Sequence, residues 1–438
     1  MINESAGFGL ESLLRGLLGV LVILVLAFLL SKDRKRIDWR LVGVGLLLQT
    51  TLAVAILYVP FVSAFFELLG RGFIALMDFT QDGVGFLLGH YASKENGFVF
   101  LIHSLPVVIF FSVLISICYH WGIIQFVVRA IAWLLRKFFN ISGAEGLAVS
   151  GNIFIGMMEA PLLIKNYLNT MTRSELFLVM VAGMATIAGA LMGTYIGLLS
   201  GGDPVMRLFF AKHLISASLI AIPGAIVVAK MLYPQTEEVM DKPVSVENAN
   251  VQPTILNAIA GGTSTGIKLM TNIAAMLLVF IALVALANFI LGDVVGHYTG
   301  INSWLGNITD GKVTALSFQY ILGIVLAPFM WLVGVPSSDM MAVGSLLGQK
   351  TVLNEFVAYI QFKQWMGEGM FVSQKAITMT TYILCGFANI SSIGILIGGL
   401  GVLVPEKKTM VTSLGFYSMI GGGLVSVLSA TIIGMILG

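Results

Sequence analysis

The chain reads as an all-α polytopic membrane protein, with about eight transmembrane helices, two re-entrant helical hairpins and interfacial helices. Three observations predict this. Only 11% of the 438 residues are charged and 58% are hydrophobic, with a mean hydropathy of +0.96, whereas soluble domains carry roughly 25% charged residues. Apolar runs recur from Leu17 to Leu437, each about 18 residues or longer and so able to cross roughly 30 Å of hydrocarbon. Two more apolar stretches are interrupted by Gly, Pro and acidic residues, a pattern that suits backbone buried at membrane depth better than a clean span. A water-soluble enzyme of this length is excluded.

Glu4 and Glu11 precede the first apolar run, which therefore lacks the positive flank of a signal peptide, so 12–31 reads as a retained first span. The segment KDRKRIDWR, Lys32 to Arg40, holds five of the 24 cations and belongs in the cytoplasm by the positive-inside bias, which leaves the N-terminus external. Spans follow at 41–60 and 98–118, with 61–77 either extending the second span or lying along the interface. Residues 121–139 place Arg129, Arg136 and Lys137 on an aromatic-rich amphipathic stretch suited to the membrane surface. The first candidate hairpin is 143–167, followed by spans at 175–200 and 208–232. A polar linker runs from Pro234 to Pro253. Beyond it come a span at 269–291, the second candidate hairpin within 313–362, and spans at 376–402 and 410–437. Threaded this way, 15 cations lie inside and 9 outside, and both termini are external. The chain divides into a scaffold-forming 1–142, a first repeat at 143–233, a linker and long span at 234–312, and a second repeat at 313–438.

A net charge of +2 supplies no basic field, so nucleic acid is not a partner. Cys118 and Cys385 both lie within apolar runs and read as packing residues. The five histidines have no metal spacing, and Gly262 to Gly266 matches G-x-S-x-G only within a helical context, without the strand-to-helix elbow that would make Ser264 a nucleophile.

An interrupted segment followed by a span with a Gly-containing centre occurs on each side of the linker, the arrangement that marks the binding site of an inverted-repeat transporter. Each unit carries one glutamate, Glu159 in GMMEAPLL and Glu355 in VLNEFVAY. An ionisable group at bilayer depth costs roughly 2.5 to 3.5 kcal/mol on insertion scales, so each demands a compensating interaction. That interaction is either a polar solute or, more simply, a helix terminus or a partner such as Lys165. Asn389, Ser391 and Ser392 interrupt the 376–402 span and suit sugar hydroxyls, or act as interhelical glue. Asn152, Thr186 and Ile187 offer amide, hydroxyl and main-chain oxygens suited to a small cation; the plainer reading is that Asn152 caps a helix and Thr186 bonds back to its own.

At these residues the chain resembles the concentrative nucleoside transporters. The resemblance runs from about Phe98 to the C-terminus through GNIFIGMMEAPLLIKNYL, MATIAGALMGTYI, NIAAMLLVFIALVALAN, TVLNEFVAY and CGFANISSIGI, in the family's order. It implies a cation-coupled elevator-type transporter of nucleosides in the cell (inner) membrane, a homotrimer, with no covalent cofactor. By the resemblance Glu355, Asn389 and Ser392 bind ribose, and Glu159, Leu191 and Phe387 line the base pocket. Asn152, Ile155, Thr186 and Ile187 match the family's sodium site, with proton coupling and a nucleobase substrate as the alternatives. Many members read G-Q-S/T-E-A-P where this chain has Met157 and Met158 before Glu159. Two thioethers replace the polar pair facing the base, which predicts apolar base contact and a tilt toward purines.

Overall fold

The computed structural model describes residues 9–93, 99–239, 252–309 and 313–438, and helices carry the architecture throughout. The chain opens with α1 (Leu10–Leu30), α2 (Trp39–Tyr58), α3 (Pro60–Leu88), α4 (Phe100–His103), α5 (Pro106–His120) and the amphipathic α6 (Ile123–Phe138). A first hairpin follows: α7 (Gly143–Gly151), an irregular tip, a 3-10 turn at Ala160–Ile164 and α8 (Lys165–Leu168). Next come the two halves of a broken span, α9 (Arg173–Ala185) and α10 (Gly189–Ser200), and then α11 (Pro204–Leu232). After α12 (Ile255–Asn288), which continues in π-helical geometry to Gly296, lie α13 (Ile301–Ile308) and α14 (Phe318–Leu332). The second hairpin is α15 (Met340–Val352) and α16 (Glu355–Gly367), followed by the broken pair α17 (Gln374–Leu384) and α18 (Ile390–Leu403) and by α19 (Lys408–Leu437). Hairpin, broken span and full helix therefore occur twice in the same order.

Local sequence sets these boundaries. Reciprocal caps open α7 (Ser142 with Glu145) and α9 (Thr172 with Glu175), each satisfying two otherwise unpaired donors. Asn354 and Asn389 cap α16 and α18 through their side-chain oxygens. Pro60, Pro106 and Pro204 stand at the first turns of α3, α5 and α11, where no N–H is needed.

Among the described residues, eight segments are long and apolar enough to cross a membrane. Seven correspond to expected spans. The expected 376–402 span is instead divided into α17 and α18, and Pro60–Ala92 completes the count. Residues 61–77 do not extend α2, because the helix restarts at Pro60. Lys212 pairs with Glu67 at 3.0 Å and Arg207 with Asp78 at 2.7 Å, so roughly 16 Å of α3 is anchored across roughly 8 Å of α11. The two helices meet at the start of α11, through these ion pairs. The second hairpin is also shorter than 313–362: α14 is a separate helix, and Gly334, at φ +98, turns the chain back into α15. Most of the polar linker, 240–251, lies outside the described residues, as do Glu4, Phe98 and Lys242.

The helices of 1–142 have different packing neighbours. On the one hand α1 lies against α19, where a Cβ at Gly16 would overlap Met435, and α2 lies against α11 and α19, with Gln49 donating to Ser429 Oγ at 3.0 Å and Tyr58 to the Ile436 carbonyl at 3.0 Å. On the other, α5 pairs with α12: a Cβ at Gly266 would sit 2.6 Å from Ile109 Cα, and one at Gly262 2.7 Å from Val113 Cα. Within 1–142, α1 and α2 therefore pack on α11 and α19, while α5 packs on α12 and, at Gly193, on α10. Gly266→Ala should lower the melting temperature in detergent by the equivalent of about 1–3 kcal/mol, the usual cost of overpacking. Gly43→Ala, where a Cβ meets nothing, should not; equal melting for both would refute the backbone contact.

Candidate functional site

The two broken spans cross at their breaks. Gly386 holds φ +137 between α17 and α18, and a Cβ there would lie 2.9 Å from the carbonyl oxygens of Met184 and Ala185, at the end of α9. Only glycine combines that backbone conformation with that proximity. Beside the crossing, between the repeats and the α5–α12 pair, lies a cavity of about 810 Å³. Its wall includes Met157, Met158, Glu159, Leu191, Glu355, Phe387, Asn389 and Ser392, so the side chains that the sequence marks as a substrate site share one space. Of the expected cation ligands, Ile155 reaches this wall; Asn152, Thr186 and Ile187 are buried behind it.

Glu355 is the first residue of α16, and both of its carboxylate oxygens accept a hydrogen bond. Tyr195 donates its phenol to Oε1 at 2.9 Å, and Asn389 donates Nδ2 to Oε2 at 2.9 Å. The Asn389 side-chain oxygen accepts in turn from the Ser392 N–H at 2.8 Å and the Ser391 hydroxyl at 2.7 Å. The carboxylate is thereby linked through one amide to the N-terminus of α18, while it stands at the positive end of α16 itself. The simpler expectation of a helix-terminal glutamate is met here, yet each carboxylate oxygen keeps a further lone pair for a hydroxyl donor in the cavity. Glu159 differs: it precedes the 3-10 turn, is exposed to the cavity, and forms no ion pair with Lys165.

Tyr195 was not singled out by sequence. Fully buried against Phe356 and Tyr359, it holds Glu355 from the first repeat. The available signal was its position four residues after Leu191, on the same face of α10. The two methionines separate. Met157 is 8% exposed, with its Cβ against Gly183, whereas Met158 is 39% exposed and lays its thioether over Gly399 of α18. Position 158 is therefore the one most open to the cavity.

Behind the wall the C-terminal ends of α7 and α9 converge. Asn152 Nδ2 donates to the Ala148 carbonyl at 3.1 Å and Thr186 Oγ1 to the Ala182 carbonyl at 2.9 Å, so both make the local bonds of the plainer reading. Asn152 Oδ1, however, is buried with no hydrogen-bond partner among the described residues and faces Gly183 in the last turn of α9. A buried amide oxygen without a donor, beside two helix ends whose last carbonyls lack intrahelical partners, fits a small cation. Among the described residues no cluster of His, Cys, Asp and Glu could hold a transition metal.

Family models cover most of the chain. One described as the C-terminus of Na+ dependent nucleoside transporters matches 213–434, its N-terminal counterpart matches 18–91, and one described as nucleoside recognition matches 101–202. Sodium/nucleoside cotransporter 1 of Rattus norvegicus is 39% identical over 95% of this chain, which spans 63% of that longer protein. An uncharacterized transporter of Haemophilus influenzae is 37% identical over 98% of both chains. The chain belongs to the concentrative nucleoside transporter family. The solved structure of CNTnw in an inward-facing substrate-bound state shares the fold, with a TM-score of 0.87 and 34% identity over 97% of this chain and 99% of that one. An outward-facing variant of CNTnw matches with a TM-score of 0.88 and 35% identity over 98% and 99% of the two chains. This concentrative nucleoside transporter relative is a multi-pass membrane transporter and not an enzyme; its G-x-S-x-G sequence lies within α12, where Gly262 and Gly266 serve packing against α5.

Tyr195→Phe should remove one donor from Glu355 and weaken nucleoside binding by about tenfold, the scale of a hydrogen bond to a charged group. If Glu355 meets the sugar that nucleosides share, as the family resemblance implies, the ranking among bases should stay unchanged. Equilibrium binding to purified protein measures both, and wild-type affinity in the variant would remove Tyr195 from the site.

Proposed function

We propose that this protein takes up nucleosides across the cell membrane against their gradient, coupled to sodium entry, by elevator-type alternating access. The observation that carries the reading is the placement of Glu159 and Glu355, one from each repeat, on a single cavity with the unpartnered Asn152 oxygen behind its wall. Glu355, Asn389 and Ser392 form the polar end, suited to ribose hydroxyls. Glu159, Leu191, Phe387 and Met158 form the other end, suited to a base, with Met157 set back from it. The apolar surface of Met158 favours the larger face of purines. Asn152, Ile155, Thr186 and Ile187 hold the sodium ion, and Ile155 links ion to substrate because it also belongs to the cavity wall.

The cavity extends toward Tyr119, Gln252 and Gly261, the end of α5 and α12 that adjoins the polar linker. With that linker cytoplasmic and both termini external, the structure is inward-facing. The moving body comprises both repeats together with α1 and α2, which pack on α11 and α19. The scaffold comprises α3, α5 and α12, and the broad exposed apolar surface of α12, including Leu278, Val279 and Leu286, suits lipid and the neighbouring copies of a homotrimer.

In proteoliposomes, replacing external sodium with choline should abolish concentrative uptake, and Asn152→Ala should raise the half-saturating sodium concentration by about tenfold or more. Undiminished uptake driven by a pH gradient would replace sodium with protons. Competition among adenosine, inosine, uridine and cytidine should favour the purines, and Met158→Gln should shift that ranking more than Met157→Gln. A strict pyrimidine preference would overturn the role given to Met158.

A further inference from the structure

The two repeats create the same electrostatic need at corresponding positions. In the first, the C-terminal ends of α7 and α9 converge, and Asn152 Oδ1 lies there without a donor. In the second, the corresponding elements are α15 and α17. Lys350, in the last turn of α15 and fully buried, extends its ammonium to the end of α17. Nζ donates to the carbonyl of Ile383, in the last turn of α17, at 2.8 Å and to Ser426 Oγ on α19 at 3.2 Å. That hydroxyl also bonds the carbonyl of Cys385, the first residue of the break, at 3.1 Å. Lys350 forms no direct ion pair among the described residues; Glu355 acts on it only through space.

A lone buried ammonium is costly unless its surroundings supply negative potential. The carbonyl end of α17 and a hydroxyl oxygen supply it, and a helix end and a hydroxyl, Thr186, likewise stand at the cation position proposed in the first repeat. We infer that the Lys350 ammonium is a tethered monovalent cation, filling the second repeat's counterpart of the sodium site. The protein then moves one sodium ion per nucleoside, and a second sodium site is latent beneath the lysine. This rests on the reading of the first-repeat position as the sodium site.

The test is the sodium dependence of uptake, together with charge moved per nucleoside, in proteoliposomes. Wild-type protein should show a Hill coefficient for sodium of about one and one net charge per nucleoside, whereas Lys350→Ser, which vacates the position and leaves its oxygens, should approach two in both measures. Lys350→Met fills the space without offering oxygen and should stay at about one while transporting more slowly. Folded Lys350→Ser protein that keeps single-sodium behaviour overturns the assignment, as does an equal shift in both variants. If Lys350→Ser does not fold, the wild-type charge ratio still decides, because two charges per nucleoside contradict a lysine-filled site. Sodium-independent wild-type uptake would refute the coupling reading itself, and this inference with it; sodium-dependent wild-type uptake with an unchanged serine variant refutes this inference alone.

Discussion

A helix that stops inside a membrane leaves up to four N–H groups and four carbonyls without intrahelical partners, and hydrocarbon offers nothing to satisfy them. This chain stops helices at depth in both hairpins and both broken spans, and the handling of those ends organises the site. The N-terminal ends meet acceptors. Glu355 begins α16, Glu159 precedes the 3-10 turn of the first hairpin, and Asn389 caps α18 while binding Glu355. The C-terminal ends meet positive charge or an oxygen left over for it: the Lys350 ammonium at α17, and the buried Asn152 Oδ1 beside α9. Carboxylates and cations are thus sorted by helix polarity, and for that reason two glutamates and a lysine can lie among such apolar surroundings.

Sorting requires the half-helices to approach closely, and glycine permits the approach. Gly386 lets the second break rest on the end of α9, and Gly422 brings α19 against the backbone at Met184 and Ala185. Small residues at helix interfaces act this way in membranes, where apolar burial supplies little net force and backbone proximity must supply contact. The crossing couples the repeats: Tyr195 of the first repeat holds Glu355 of the second, and Met158 of the first hairpin covers Gly399 of α18. Both ends of the cavity, at Glu355 and at Met158, therefore depend on both halves of the chain.

Much of this was legible in the sequence, for identifiable reasons. Span positions followed from composition, and the hairpins followed from acids within apolar runs. The helix α3 was harder, since its mixed apolar and charged faces satisfy both a span and a surface helix; only the pairs to Lys212 and Arg207 show where it packs. The break in 376–402 was marked only from its far side, by Asn389, Ser391 and Ser392, because Cys385 to Ala388 are all apolar or small and keep hydropathy high across it. Tyr195 was missed because a tyrosine in a membrane helix carries no sign of its partner when that partner is 160 residues away. Methionine spacing could not separate positions 157 and 158, whose exposure depends on Gly183 and Gly399 from two other helices.

The hairpins are symmetric in order but not in their tips, and that difference bears on coupling. The second turns within Leu353 and Asn354, whereas the first runs irregularly from Asn152 to Glu159 with Gly156 at φ +45. One short segment therefore carries the proposed cation ligand Asn152 at its start and a cavity carboxylate at its end. An ion that fixes Asn152 and Ile155 also fixes where Glu159 points. Substrate and ion then favour one another reciprocally, typically by 1–3 kcal/mol in such linkage, with no longer pathway required. The second tip, tight and held by a cation that cannot leave, supplies a fixed wall. On the proposed reading, the first hairpin alone is left to register the sodium concentration, and the asymmetry between an exchangeable ion and a built-in ammonium lets one repeat sense while the other holds.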